Sequence, residues 1–113
     1  MYTIYKQVTF AAAHHLTKVP SDHQCARVHG HNYVVEFEVR ALDLDESDFV
    51  LDYGVLKSLV APYDHRDLND FFVNPTAEVI AQHLYEGIAQ IPNVRPIYVR
   101  VHENDSSWAE YRG

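Results

Sequence analysis

The residue types most capable of chemistry in this chain lie between Cys25 and His31, in the order Cys-Ala-Arg-Val-His-Gly-His. His29 and His31 are two residues apart, and the only cysteine of the chain precedes them in the same segment. Neutral imidazole is a common zinc ligand, and a thiolate is a base, a nucleophile or a further metal ligand. The segment therefore predicts a metal site with a reactive group beside it.

Strand periodicity adds a third histidine to this pair. From Tyr2 to His14 the even positions are mainly apolar, which is typical of a half-buried strand, and alternation returns from His29 to Ala41 with His29 and His31 on the apolar face. Residues two apart share one face of a strand, so the three histidines converge if the strands pair. They would form an open zinc site with a fourth position for water or substrate. The alternative is three ordinary half-buried histidines bonded to backbone, which is the commoner outcome for a single histidine.

Two helices and two more strands are predicted after the second strand. The helices are residues 52–60, with Asp52 as N-cap, and residues 75–91, with Pro75 at the first helical position; the strands are residues 97–103 and 108–111. The order ββααββ indicates an α+β fold with two helices on one face of a four-stranded antiparallel sheet. At 113 residues, the chain is expected to form one domain over 1–113.

Composition and charge exclude several classes of partner. Nine basic residues stand against sixteen acidic ones, giving a net charge of −7 at pH 7 without a basic stripe, so no nucleic-acid partner is expected. No stretch approaches the ~20 apolar residues of a membrane span, and the first residues lack the apolar core of a signal peptide. A single cysteine forms no intrachain disulfide. A cytoplasmic protein without a membrane partner is expected.

Four further residues are candidates for chemistry. A loop thiol beside several imidazoles favours a reactive role for Cys25, and the alternative is a structural zinc site that the thiol closes as fourth ligand. Asp64 precedes His65, and an adjacent carboxylate holds an imidazole in place as a proton donor; the alternative is an exposed polar turn. Glu103 is in phase with an apolar strand face, where a carboxylate is costly unless something binds it. Its alternative is a salt bridge or an exposed strand end.

The chain resembles the 6-pyruvoyl-tetrahydropterin synthase family over nearly its whole length. The resemblance is carried by Phe10-Ala11-Ala12-Ala13-His14, Cys25-x-x-x-His29-Gly30-His31-Asn32-Tyr33, Asp52-Tyr53-Gly54, Asp64-His65 with Leu68-Asn69, Asn74-Pro75-Thr76 with Glu78, and Glu103. The three-residue gap after the cysteine resembles the bacterial branch, the 6-carboxy-tetrahydropterin synthases of queuosine precursor synthesis.

This resemblance implies a fold, a cofactor and a reaction. The fold is the tunnelling fold, assembled into an oligomeric barrel and usually into a homohexamer, a dimer of trimers with active sites between subunits. By the same resemblance, His14, His29 and His31 would hold Zn2+, Cys25 would be the proton-abstracting base, Asp64 and His65 a proton relay that serves a neighbour's zinc, and Glu103 the group that grips the amino-pyrimidine edge of the pterin.

The implied reaction is that of a lyase. It converts 7,8-dihydroneopterin triphosphate to 6-carboxy-5,6,7,8-tetrahydropterin and releases acetaldehyde and triphosphate. Two alternatives remain open at this point: a 6-pyruvoyl-tetrahydropterin synthase that uses the same groups, and a non-catalytic, pterin-binding zinc domain.

Overall fold

The computed structural model describes residues 1–113, which form an α+β fold with two helices and one five-stranded sheet. The elements are β1 Tyr2–His14, β2 His29–Ala41, α1 Tyr53–Val60, β3 Arg66–Asp67, α2 Ala77–Ala89, β4 Arg95–Asn104 and β5 Ser107–Tyr111. The strands lie in the order β3-β1-β2-β4-β5. Neither helix is long and apolar enough to cross a membrane.

The four predicted strands are present and pair antiparallel as expected, but the predicted strand number is wrong, because a fifth strand, β3, makes the sheet mixed. β3 lies between the two helices in the chain and pairs in parallel with β1, through Ala12 with Arg66 and Ala13 with Asp67. Two residues are too few to produce an alternating pattern, so the sequence carries no periodic signal for this strand. Its consequence is that the residues just before Arg66 lie at the edge of the sheet.

The pairing of β1 with β2 sets the geometry of the candidate site. Both strands have the predicted bounds, and their register is unbroken from Tyr2 opposite Ala41 to His14 opposite His29. The loop between them closes at its base, where the N–H of Leu16 donates to the carbonyl of Cys25 at 2.8 Å. The end of β1, the start of β2 and the cysteine are therefore held at one end of the sheet.

Local capping explains where the helices begin. The Asp52 side chain accepts a hydrogen bond from the N–H of Gly54 at 2.8 Å and caps α1 as predicted. Thr76 caps α2 by accepting from Val79 at 3.1 Å, so Pro75 lies before the cap, and its predicted place at the first helical position is wrong. The Pro75 carbonyl is consequently free to bond elsewhere. Side chains of both helices and of the inward sheet face form one buried cluster, so both helices cover the same face.

Candidate functional site

The side chains of His14, His29 and His31 meet where β1 ends and β2 begins. One ring nitrogen of each lies within 4.8 Å of those of the other two, and the Nε2 atoms of His14 and His29 are 3.0 Å apart. Strand register produces this cluster, because His14 is opposite His29 and Ala12 is opposite His31. His14 is 1% exposed, whereas the other two are half-buried and form the open side.

Hydrogen bonds on the outer ring nitrogens fix which nitrogens carry protons. Nδ1 of His14 donates to the Pro75 carbonyl at 2.7 Å, and Nδ1 of His29 donates to the Arg27 carbonyl at 2.7 Å. A carbonyl only accepts, so in each neutral ring the proton is on Nδ1 and the lone pair is on Nε2. These two lone pairs face each other, and the buried Nε2 of His31 has no hydrogen-bond partner. Such a set of nitrogen donors fits a zinc ion.

Burial favours the neutral form of two of these histidines, His14 and His31. Desolvation is the largest influence on His14 and His31 and lowers the pKa of each below its usual value. The Pro75 carbonyl opposes this effect at His14, and the Glu103 carboxylate opposes it at His31. Since neutral imidazole is the form that binds a metal, the buried position prepares both rings as ligands.

Residues distant in sequence hold His14 in place. The Tyr33 hydroxyl is buried and lies 3.2 Å from His14 Nδ1. The Asn69 side chain accepts from the N–H of His15 and donates to its carbonyl, both at 2.9 Å, which fixes the backbone just after His14. Sequence reasoning placed Tyr33, Asn69 and Pro75 in motifs but gave them no part in the site. Their presence in the motifs that carry the family resemblance was the only signal available for them.

Glu103 brings a carboxylate to the histidine cluster. Its Oε2 lies 3.1 Å from Nε2 of His31 and 3.6 Å from Nε2 of His14. The pairing of β4 with β5 shifts register between His102 and Asn104, so Glu103 occupies an irregular position at the end of the strand. Its side chain is 31% exposed. The carboxylate thus lies at the open side of the cluster.

Cys25 lies at the same end of the sheet but outside the ligand cluster. Its thiol is free and half-buried, and it is not among the donor atoms that lie mutually within 4.8 Å. The residue belongs to a short 3-10 turn, Gln24–Ala26, in which its N–H donates to Nδ1 of His23 at 3.0 Å. This arrangement favours a thiol available for reaction over a fourth ligand.

Asp64 and His65 lie beside β1 and are not part of the histidine cluster. His65 is 83% exposed, and its Nδ1 lies 3.0 Å from Asp64 Oδ1. The N–H of Ala11 donates to this Oδ1 at 3.0 Å, and this hydrogen bond is the main cause of the lowered pKa of Asp64. The N–H of His65 donates to the Ala11 carbonyl at 2.6 Å. Ala11 and His14 point to opposite faces of β1. The pair is therefore presented outward at the sheet edge.

The fold and the site together define an α+β protein with a candidate three-histidine metal centre. The sequence pattern of the 6-pyruvoyl tetrahydropterin synthase family matches residues 3–113. The chain belongs to this family.

Two similar proteins carry the name of one synthase within this family. A putative 6-carboxy-5,6,7,8-tetrahydropterin synthase from Archaeoglobus fulgidus is 38% identical over 109 residues, which cover 92% of this chain and 90% of the relative. The 6-carboxy-5,6,7,8-tetrahydropterin synthase of Bacillus subtilis is 34% identical over 127 aligned positions, with 98% of this chain and 85% of the relative covered.

Solved structures of family members share the fold. The 6-pyruvoyl tetrahydropterin synthase of Caenorhabditis elegans superimposes with a TM-score of 0.78 at 27% identity, covering 99% of this chain and 95% of the other. The enzyme of Plasmodium vivax gives a TM-score of 0.60 at 18% identity, covering 100% and 99%, and at that identity supports the fold alone.

Proposed function

We propose that this chain is a zinc-dependent lyase that converts 7,8-dihydroneopterin triphosphate to 6-carboxy-5,6,7,8-tetrahydropterin, releasing acetaldehyde and triphosphate, in queuosine precursor synthesis. The observation that carries the proposal is the histidine cluster, in which Nε2 lone pairs of His14 and His29 face each other at 3.0 Å. Relatives that cover most of the chain bear the name of this synthase.

The three histidines would hold the ion through one ring nitrogen each. His14 and His29 have their Nδ1 protons engaged by backbone carbonyls, which keeps Nε2 free to bind and fixes the ring orientations. When bound, zinc supplies a positive charge that acidifies the side-chain hydroxyls of the substrate and the C–H beside them.

Cys25 would accept the proton from that carbon. A thiolate is the effective base, and the thiol lies outside the ligand cluster and is partly accessible. The bonds of its backbone to Leu16 and His23 hold the residue at the rim of the site. The thiol would thereby act from the loop that joins the two ligand-bearing strands, without being a ligand itself.

Asp64 and His65 would deliver protons to the zinc site of a neighbouring subunit. Their exposed position at the sheet edge, outside the histidine cluster of their own chain, supports this assignment. β1 has no partner strand along its outer edge from Tyr2 to Ala11, because β3 pairs only with Ala12 and Ala13. Unpaired edges are suited to pairing with another copy, as a homohexameric barrel built from two trimers requires.

The carboxylate of Glu103 would recognise the pterin ring. A carboxylate accepts two parallel N–H groups, and the amino-pyrimidine edge of a pterin offers such a pair. A buried polar contact of this kind discriminates strongly against ligands that lack the two donors.

Product analysis tests the reaction directly. Zinc-loaded protein incubated with 7,8-dihydroneopterin triphosphate should yield 6-carboxy-5,6,7,8-tetrahydropterin by mass spectrometry, with acetaldehyde trapped as its hydrazone in equal amount. Triphosphate release without acetaldehyde would instead identify the pyruvoyl-forming synthase. Tight pterin binding without any product would identify a non-catalytic zinc domain.

Mixed oligomers test whether the site is shared between subunits. Cys25→Ala and His65→Ala should each be inactive alone, whereas their co-expression as mixed oligomers should restore about one quarter of wild-type turnover, because one site in four then combines an intact cysteine with an intact histidine. Turnover is measured on the purified mixture, with each single variant as control. A mixture as inactive as its components would contradict the shared site.

A further inference from the structure

A half-open cavity of about 820 Å³ lies at the end of the sheet opposite to the histidine cluster. Its lining includes the end of β2 and the start of β4, and Arg40 in this lining is about 35 Å along β2 from His29. The cavity therefore belongs to a different part of the molecule from the candidate metal site. Its volume is within the usual range of small-molecule sites, roughly 300–1,000 Å³.

The wall of this cavity carries a surplus of positive charge. Three of the six arginines of the chain line it, namely Arg40, Arg95 and Arg112. Two aspartates, Asp43 and Asp45, line it as well, but neither forms an ion pair with an arginine. The Asp45 carboxylate instead accepts two backbone N–H groups of its own loop, at 2.8 and 2.9 Å. The surplus is notable in a chain whose net charge is −7, because the other basic residues are dispersed.

Two of these arginines form a cross-strand pair of like charges. Arg40 of β2 is directly opposite Arg95 of β4, so both side chains leave the same face of the sheet. Like charges in this position repel each other and destabilise the pairing. The arginine ion pairs of the chain are made by Arg40, Arg100 and Arg112, and Arg95 makes none. An anion bound between the two side chains would remove this repulsion.

The guanidinium of Arg40 also has a donor without an acceptor. Its Nε atom is buried and has no hydrogen-bond partner. Its one ion pair is a long contact of 3.4 Å from Nη2 to Oε2 of Glu38, two residues away on the same strand. A buried N–H without an acceptor lowers stability. Because 43% of the Arg40 side chain is exposed, its guanidinium has room to turn this N–H to an acceptor in the cavity.

The remainder of the cavity wall is largely apolar. Leu44 and Leu51 come from the segment after β2, and Val94, Pro96 and Ile97 come from the start of β4. Apolar walls with a few polar groups that fix orientation are typical of small-molecule sites. A guanidinium binds phosphate and carboxylate groups alike through two parallel N–H bonds. The cavity therefore fits a molecule with one such anionic group and an apolar body.

We propose that this cavity is a second ligand site, which binds a small organic anion with its phosphate or carboxylate group between Arg40 and Arg95. The apolar body of the ligand packs against the apolar wall. The bound anion neutralises the pair of arginines and gives Arg40 Nε its acceptor. The inference goes beyond the proposed function and does not depend on it, because the histidine cluster and the candidate catalytic groups take no part in this site.

Calorimetric titration with model ligands tests the site and distinguishes the two anionic groups. Phenyl phosphate and benzoate present them on the same apolar ring, and the preferred one should bind with a Kd below about 1 mM. Inorganic phosphate should bind at least about tenfold more weakly than phenyl phosphate, because it buries no apolar surface. Tighter binding of phenyl phosphate identifies a phosphate ligand, and tighter binding of benzoate a carboxylate ligand. Absence of binding by both overturns the proposal.

Three variants assign the binding to the arginine pair. Arg95→Gln should weaken the binding of the preferred probe at least about fivefold, because one of the two charges is lost. Arg40→Lys keeps the charge but lacks the Nε donor and the planar fork, and should weaken binding at least about threefold. Lys57→Gln removes an exposed charge of α1 outside the cavity and should bind like wild type. Equal affinities in Arg95→Gln and wild type would overturn the proposal.

Nuclear magnetic resonance locates the probe on the wild-type protein, whatever the affinity of the variants. Protein labelled with ¹⁵N-arginine gives one Nε–Hε signal for each arginine, and the signal that Arg40→Lys lacks is that of Arg40. The saturating probe should shift this signal more than those of Arg27 and Arg66, which lie outside the cavity. Larger shifts at Arg27 or Arg66 contradict the proposal. Neither measurement involves turnover, so failure of this site leaves the proposed lyase reaction standing.

Discussion

Replacement of Cys25 by alanine is expected to reduce turnover by about 10²- to 10⁴-fold, the usual contribution of a positioned general base. Zinc content should remain at the wild-type level, because the thiol lies outside the group of histidine nitrogens that meet within 4.8 Å. The measurements are kcat with 7,8-dihydroneopterin triphosphate and metal content by elemental analysis of the same sample. A structural zinc site closed by the thiol would give the opposite pattern, a fall in zinc content together with loss of the fold.

Two further variants separate loss of the thiol from disturbance of the loop. Cys25→Ser keeps the size of the side chain but not its acidity, so it should be nearly as inactive as Cys25→Ala. Gln24→Ala lies in the same short turn, with an exposed side chain, and should retain wild-type turnover. Equal loss of activity in Gln24→Ala and Cys25→Ala would point to loop geometry rather than to proton abstraction.

Replacement of His14 by alanine is expected to lower zinc affinity by more than about 100-fold. Loss of a residue that only hydrogen-bonds a metal ligand commonly lowers metal affinity by about 10- to 100-fold, and His14 would be a ligand itself. His14 is the most buried of the three histidines, and its ring is fixed by the Pro75 carbonyl and the Tyr33 hydroxyl. The affinity is measured by competition with a chromophoric chelator. Zinc should also raise the Tm of His14→Ala less than it raises the Tm of the wild-type protein, because the stabilisation that a ligand gives the folded state increases with its affinity.

The neighbouring residue provides a matched control. His15 is also a histidine, but it follows the last residue of β1 and does not belong to the cluster of nitrogens that meet within 4.8 Å. His15→Ala should therefore bind zinc with wild-type affinity. If His15→Ala lost zinc and His14→Ala retained it, the assignment of the ligand within this pair of adjacent histidines would have to be reversed.

Features that repeat along the chain were predictable from the sequence. The two long strands have the predicted bounds, because alternation over thirteen residues in each identifies the face that is buried. Alternation places His14, His29 and His31 on that face, and the observed pairing brings His14 opposite His29. The cap at Asp52 was also predictable, since a short acceptor side chain before a helix acts on the backbone two or three residues away.

Features that depend on single contacts between distant segments were not predictable in the same way. β3 has only two residues and exists because the chain after α1 passes beside Ala12 and Ala13. The bulge at the end of β4 determines where the Glu103 carboxylate lies, and a bulge leaves no periodic mark in a strand. The sequence predicted that something binds this carboxylate, but not that it approaches two histidine nitrogens.

The sequence by itself determined which histidines form the cluster and that a thiol lies in the loop before the second strand, because strand alternation and spacing along the chain are local properties. Tertiary structure alone decided that the Cys25 thiol is outside the ligand group, that Asp64 and His65 are presented outward, and that Glu103 faces the ligands. These arrangements are set by hydrogen bonds and strand pairings between segments that are far apart in the chain. Their geometry is fixed only when the whole sheet has formed.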